Sequence, residues 1–206
     1  MGIFDMFRRA PVIRDADALA EFIDRNAAFL VQKGMYEYSR ARAGHYAKVL
    51  LRDPEFLAVM EVARWQAYPL GLAMVAEMVE KLLHPHIASD RRAGVDALKD
   101  LVLWVFDGYP RPEPFAAATW NEARQDLARR LDLIGLHPPK AVKDIPTPVT
   151  QLYFDMMPIH DKLKAADFLA IGNYLRVSLI NIHDELIDRL DSAAVAQSLL
   201  PPPAER

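Results

Sequence analysis

One segment of the chain combines basic side chains with tyrosines at helical spacing. Tyr38, Arg42 and Tyr46 follow one another at intervals of four residues, which places them on one face of a helix. Arginine can stack on a tyrosine ring while its guanidinium forks onto a carboxylate or phosphate. His45 lies close to the same face, and Arg40 adds a further cation. This pattern predicts a site for an anionic ligand, an acidic partner or an anionic membrane surface.

The local charge of this segment supports the same interpretation. Residues 33–52 carry five basic side chains and a single acidic one, which gives a local charge of +4. The same composition is also typical of a solvated basic face whose tyrosines are half-buried against neighbouring helices. The exposure of these side chains therefore decides between the two interpretations. The five basic residues are Lys33, Arg40, Arg42, Lys48 and Arg52.

A second polar pattern lies near the C-terminus, on the last long helical stretch. Tyr174 and Ser178 are four residues apart, and Asn181 and Glu185 continue at intervals of three and four. These residues share one helix face beside an apolar stripe. Short polar groups on an apolar helix are often buried, and buried polar groups need hydrogen-bond partners. The stripe therefore predicts either a ligand pocket or an internal hydrogen-bond network.

Two weaker patterns keep an enzyme as the alternative function. Glu77, Glu80 and His84 share a helix face, but no second helix repeats the glutamate and histidine spacing of a di-metal bundle. Ser178 precedes His183 by five residues, so the two side chains meet only loosely. Our prediction is no metal and no cofactor. The alternative is a hydrolase that uses the polar stripe of the last helix, or a metal enzyme that uses glutamate and histidine.

Composition excludes several classes of protein. The chain has 206 residues, of which 52 % are hydrophobic, and a net charge of −3. It is therefore a folded chain without the basic excess that binds nucleic-acid phosphates. The absence of cysteine removes disulfides, thiol catalysis and thiolate metal sites. No secretory signal pattern and no apolar run of about 20 residues occurs, so we predict a cytoplasmic location. Because the chain lacks a basic excess, we also predict no nucleic-acid partner.

Hydrophobic periodicity is helical nearly throughout the chain, and it predicts an all-α, single-domain bundle of six or seven helices. The first helix is predicted to end at Gly34, and a separate second helix to cover residues 35–51. The third helix begins after Asp53 and is predicted to break or kink near Pro69. A long C-terminal helix over residues 162–190 is predicted to lie at the centre of the bundle.

Both ends of the chain have a distinctive composition. Near the N-terminus, Ile3, Phe4 and Phe7 precede two arginines. Exposed bulky apolar residues predict peripheral contact with a membrane or docking on a partner, unless they fold back onto the bundle. The chain is thus predicted to comprise an apolar and basic segment over residues 1–13, a helical domain over residues 14–191 and a proline-rich tail over residues 192–206.

Together these patterns predict a non-catalytic cytoplasmic binding or adaptor protein. Its basic, tyrosine-rich helix would engage a protein partner or an anionic small molecule, with the apolar N-terminal segment adding contact to a membrane surface. The apolar helix faces also leave room for a homodimer. The predicted ligand-binding residues are Tyr38, Arg40, Arg42, His45, Tyr46, Tyr174, Ser178, Asn181 and Glu185.

Overall fold

A computed structural model describes residues 11–200 of the chain. Within this range the chain is helical with no strand, which confirms the predicted all-α class, and six helices have eight residues or more. No helix of this part of the chain is long and apolar enough to cross a membrane. The helices are α1 (Ala16–Ala43), α2 (Ala47–Leu50), α3 (Pro54–Ile87), α4 (Arg91–Asp107), α5 (Ala117–Ile134), α6 (Thr150–Asp155), α7 (Asp161–Lys164), α8 (Phe168–Ile187) and α9 (Ser192–Leu199).

The first helix is longer than the sequence predicts, because Gly34 does not end it. Asp15 caps α1 by accepting a hydrogen bond from the backbone N–H of Ala18 at 2.8 Å. The helix then continues through Gly34 to Ala43, so the prediction of a separate helix over residues 35–51 is wrong. The glycine is required for packing instead, as a β-carbon at this position would clash with two tyrosine side chains.

The longest described helix, α3, contacts five of the other helices. Asp53 caps it by accepting from the N–H of Phe56 at 2.9 Å. Every residue from Ala67 to Ala76 is buried, and α3 packs against α1, α4, α5, α8 and α9. The helix continues through Pro69 without the predicted break. Its first half is different, since Ala63 is the one buried residue between Pro54 and Gln66.

The chain from residue 192, which we predicted to be a tail, instead forms α9 as far as Leu199. Val195 is fully buried, and the helix packs against α1, α3 and α4. Ile13 lies beside the turn before α9, where its N–H donates to the carbonyl of Arg189 at 2.8 Å. Predictions about Ile3, Phe4 and Phe7, and about residues 201–206, fall outside the described residues.

Candidate functional site

The fold divides the predicted basic segment into an inner and an outer part. Tyr38 and Arg42 belong to the inner part by their contacts, although Arg42 is itself exposed, because both contact Asp167 directly before α8. The Tyr38 hydroxyl donates to Asp167 Oδ2 at 2.7 Å, and Arg42 Nη2 lies 2.6 Å from the same oxygen. Burial and the hydrogen bond to Asp167 raise the pKa of Tyr38. These two residues therefore join α1 to α8 and are not free to hold a ligand.

The outer part of the segment lies at the surface. No residue from Arg40 to Val62 is buried. Tyr46 is 72 % exposed, and its ring centroid lies 5.9 Å from that of His45. The end of α1, all of α2 and the start of α3 therefore form an exposed corner of the bundle, which we define as residues 40–62.

Ion pairing neutralises only part of the positive charge in this segment. Arg40 Nη2 lies 2.6 Å from Glu37 Oε2, and Arg42 is paired with Asp167 as described. Lys33, Lys48 and Arg52 make no ion pair within residues 11–200. Three cations are therefore available to an acidic ligand.

A groove of about 590 Å³ lies beside the exposed corner, between α1 and the first half of α3. Three of its apolar side chains, Phe29, Tyr36 and Leu57, are 46–47 % exposed. Phe29 is partly exposed to solvent here, whereas its neighbour Leu30 is fully buried. Large apolar side chains gathered in a concave surface are typical of binding sites. The apolar lining of this α1–α3 groove consists of Phe29, Met35, Tyr36, Leu57 and Met60.

Charged residues form the rim of the α1–α3 groove. Lys33 Nζ lies 4.7 Å from the centroid of the Phe29 ring. Glu61 accepts hydrogen bonds from Arg64 and from the indole N–H of Trp65. The Nε of Arg64 is buried and has no hydrogen-bond acceptor among the described residues. The acidic rim residues are thus already paired, whereas two basic ones keep unused hydrogen-bonding capacity.

The predicted polar stripe of α8 lines a second groove, of about 390 Å³, that faces α1. Tyr174 lies deeper than the other members, and its hydroxyl donates to the carbonyl of Leu30 at 3.2 Å. Burial raises the pKa of Tyr174. Ser178, Asn181 and Glu185 therefore line one groove, whereas Tyr174 packs against α1. The polar and charged lining consists of Arg25, Asn26, Lys33, Ser178, Asn181 and Glu185.

Among the described residues, Glu185 is the one carboxylate that lines this second groove, and it is already paired with two arginines. Glu185 accepts from Arg25 Nη2 at 2.8 Å and is also paired with Arg189. Arg189 Nε in turn donates to the carbonyl of Pro11 at 3.1 Å. This network joins α1, α8 and the segment before α1, and its main effect is to hold these elements together.

The residues of the metal-enzyme alternative are engaged in ion pairs. Glu80 is 1 % exposed, and its Oε1 accepts from Arg91 Nε at 2.9 Å and lies 3.2 Å from His84 Nδ1. Glu77 lies 2.8 Å from Lys140 Nζ. A buried carboxylate that is paired with a cation would have to lose that partner to bind a metal. In the described part of the chain, no group of three or more His, Asp or Glu side chains could hold a metal ion.

The residues of the hydrolase alternative are kept apart. Ser178 lines the groove that faces α1. His183 is five residues further on, which puts its side chain about 140° around the helix. The His183 Nδ1 lies 3.4 Å from Asp184 Oδ1, and its Nε2 is buried without a hydrogen-bond partner among the described residues. The fold therefore does not form a pair of Ser178 and His183.

The largest cleft, of about 970 Å³, lies along another side of α3. Its wall includes Trp65 and Tyr109, whose ring centroids are 5.3 Å apart, and the proline-rich turn over residues 110–114. This cleft could not be predicted from the sequence, because its walls come from segments about 45 residues apart in the chain. Pro110, Pro112 and Pro114 were the only signal in the sequence, and they indicate a turn without indicating what it packs against.

The charged residues of the largest cleft are mainly acidic. Glu61, Glu113 and Asp155 line it together with a single cation, Arg111. The guanidinium of Arg111 donates to the carbonyl of Phe115, so part of its hydrogen-bonding capacity is used. This cleft therefore does not suit the acidic ligand that the basic segment predicts.

No protein-family model matches this chain. Neither a curated protein nor a solved structure matches it. The geometry and charge of the described residues are therefore the basis on which a function is assigned.

Proposed function

We propose that this chain is a non-catalytic, cytoplasmic binding protein that holds an acidic amphipathic helix of a partner protein in the α1–α3 groove. The observation that carries the proposal is the exposure of Phe29, Tyr36 and Leu57 in one concave surface. Leaving these side chains in water costs free energy that burial against a partner would recover.

The form of the groove supports a helical occupant. Two helices form its walls, and its volume of about 590 Å³ accommodates the few side chains that one face of a helix presents. Helix-in-groove recognition uses apolar anchors three to four residues apart on the bound helix. Met35 and Met60 in the lining add adaptable apolar surface.

The charge around the groove supports an acidic occupant. Lys33 on the rim and Lys48 and Arg52 in the exposed corner have no carboxylate partner within residues 11–200. Of these three cations, Lys33 lines the groove, whereas Lys48 and Arg52 lie in the exposed corner outside its lining. Unpaired cations near an apolar site attract acidic partners and orient them.

A concave site favours a protein segment over a membrane. A bilayer surface receives side chains that protrude, whereas the apolar lining here is recessed between two helices. Tyr46 and Val49 do protrude from the exposed corner, so binding to an anionic membrane is the main competing outcome.

The proposal is tested by selecting random peptides of about 16 residues, roughly four helical turns, for binding to the full chain. We expect the enriched peptides to combine acidic residues with apolar residues three or four apart. Leu57→Glu is expected to weaken their affinity about tenfold or more, because it places a carboxylate in the apolar lining. Leu136→Glu is the matched control, since Leu136 is exposed beyond the end of α5 and outside the groove.

Three results would overturn the proposal. The first is that no peptide is enriched above background. The second is that the enriched peptides bind Leu57→Glu as well as they bind the wild type. The third is that the protein binds no peptide but floats with phosphatidylserine-containing vesicles and not with neutral phosphatidylcholine vesicles. That result would assign the exposed corner to an anionic membrane surface.

A further inference from the structure

The helix α8 has a third face, distinct from its buried face and from its polar stripe. The residues of this face follow one another at intervals of three or four from Leu169 to Ile187, which places them on one side of the helix. Its four large apolar side chains are between 36 % and 76 % exposed. We call this the exposed α8 face, and it consists of Leu169, Asn173, Val177, Ile180, Asp184 and Ile187.

The exposed α8 face is continuous along the helix. From Leu169 to Ile187 it spans about 27 Å at 1.5 Å per residue. Side chains at intervals of three and four form the seam of helix pairs, and here two of the six positions are the polar Asn173 and Asp184. None of the elements within residues 11–200 buries this seam, since Leu169, Val177 and Ile187 all remain more than half exposed.

Two charged residues lie symmetrically along this face. Arg176 and Asp184 are each four residues from Ile180. Arg176 donates to Asn173 at 3.2 Å and makes no ion pair among the described residues. Asp184 has the His183 ring at 3.4 Å and no lysine or arginine partner in that range. A cation and an anion with unused pairing capacity thus flank a central isoleucine.

From this symmetry we infer that α8 pairs with α8 of a second copy of the chain, antiparallel, across a two-fold axis at Ile180. In that register every residue faces the one equally far on the other side of Ile180. Arg176 of each copy therefore faces Asp184 of the other, and Ile180 packs against itself. A second copy therefore pairs both charges and covers the face from Asn173 to Ile187, with Ile187 of each copy against Asn173 of the other, while Leu169 lies beyond the overlap of the two helices.

Sedimentation velocity of the full chain at micromolar concentrations tests this interface. The wild type is expected to be a dimer. Arg176→Glu and Asp184→Arg each place like charges opposite one another twice in the interface, and each is expected to raise the dimer dissociation constant about tenfold or more. The double variant Arg176→Glu/Asp184→Arg exchanges the two charges and is expected to restore the dimer. Lys143→Glu, a charge reversal at an exposed residue outside α8, is the matched control.

Circular dichroism of each variant establishes that the helices are retained, so a loss of dimer is not a loss of fold. A wild type that stays monomeric up to about 100 μM overturns the inference. A dimer that neither single variant weakens, or that the double variant fails to restore, overturns it as well. Peptide binding in the α1–α3 groove does not enter this test, so the two proposals can fail separately.

Discussion

The ring of Tyr174, on α8, packs directly against Gly34 of α1. A β-carbon at position 34 would clash with this ring and with the Tyr153 hydroxyl. Tyr174 donates to the carbonyl of Leu30, and Tyr153 donates to the carbonyl of Val31 at 2.8 Å. The glycine therefore lets two tyrosines reach carbonyl groups of α1 from two other helices.

Gly34→Ala is expected to destabilise the protein by about 1–3 kcal/mol, the usual cost of overpacking a core. Helix propensity alone would favour alanine by up to about 1 kcal/mol, so a loss of stability identifies the clash as the larger effect. Urea unfolding followed by circular dichroism measures the difference. Gly135→Ala is the control, because a β-carbon there meets its nearest neighbour at an ordinary 3.7 Å. Equal stability of the wild type and Gly34→Ala would contradict the packing described for Tyr153 and Tyr174.

Glu80 and Arg91 form a buried ion pair between α3 and α4. Glu80→Gln leaves Arg91 without its carboxylate, and we expect it to cost about 3–5 kcal/mol. Asp96→Asn removes one partner of the exposed pair of Arg92 and Asp96 on the same helix, and this change is expected to cost less than about 1 kcal/mol. The two free energies of unfolding are compared by chemical denaturation. If both variants lowered the free energy of unfolding by the same small amount, the buried pair of Glu80 and Arg91 would contribute no more to stability than the exposed pair of Arg92 and Asp96.

Alkaline pH is expected to destabilise the fold through its buried tyrosines. Burial raises the pKa of Tyr153 and Tyr174, and burial together with hydrogen bonds to Asp24 raises the pKa of Tyr68 and Tyr109. Below pH 10 these phenols are protonated in both the folded and the unfolded state. Above pH 10 the unfolded chain loses their protons first, so stability falls as pH rises.

Tyrosinate absorbance at 295 nm measures this titration while circular dichroism follows the fold. We expect part of the tyrosinate signal to appear only as the helices unfold. Tyr68→Phe removes one of the phenols whose pKa is raised. The free energy of unfolding of this variant should therefore fall less between pH 7 and alkaline pH than that of the wild type. Complete tyrosine ionisation with the helices intact would contradict the described burial.

Val195 anchors α9, the helix that the sequence did not predict. Its side chain is fully buried, so Val195→Ala leaves a cavity and is expected to cost roughly 1–2 kcal/mol. Gln197→Ala, on the exposed side of the same helix, is expected to change stability by less than about 0.5 kcal/mol. Thermal unfolding of both variants decides the matter. If Val195→Ala were as stable as Gln197→Ala, α9 would not be part of the packed core.

Helical class could be predicted from the sequence, because the 3.6-residue repeat of apolar positions is a local signal. Gly34 misled the prediction for a physical reason, since its role depends on Tyr153 and Tyr174 more than 100 residues away. A short helix of mainly small residues, such as α9, gives too little periodicity to be recognised before its contacts are known.

The candidate site was predictable to a similar extent. Ser178, Asn181 and Glu185 line one groove, because spacing along one helix fixes which side chains share a face. Tyr38 and Arg42 instead pair with Asp167, which lies more than 120 residues further along the chain. Spacing within one helix carries no information about such a partner. The exposure of Phe29 was hidden for the same reason, as its apolar character suggested the core.

The most direct test of the central proposal uses methionine methyl groups as reporters of where a selected peptide binds. Met60 lines the α1–α3 groove, Met156 lines the largest cleft, and Met78 is fully buried in the core. In a protein labelled with ¹³C at the methionine methyls, the peptide is expected to shift the Met60 resonance and to leave those of Met156 and Met78 unchanged. A shift of Met156 with Met60 unchanged would contradict the proposal and assign binding to the larger cleft.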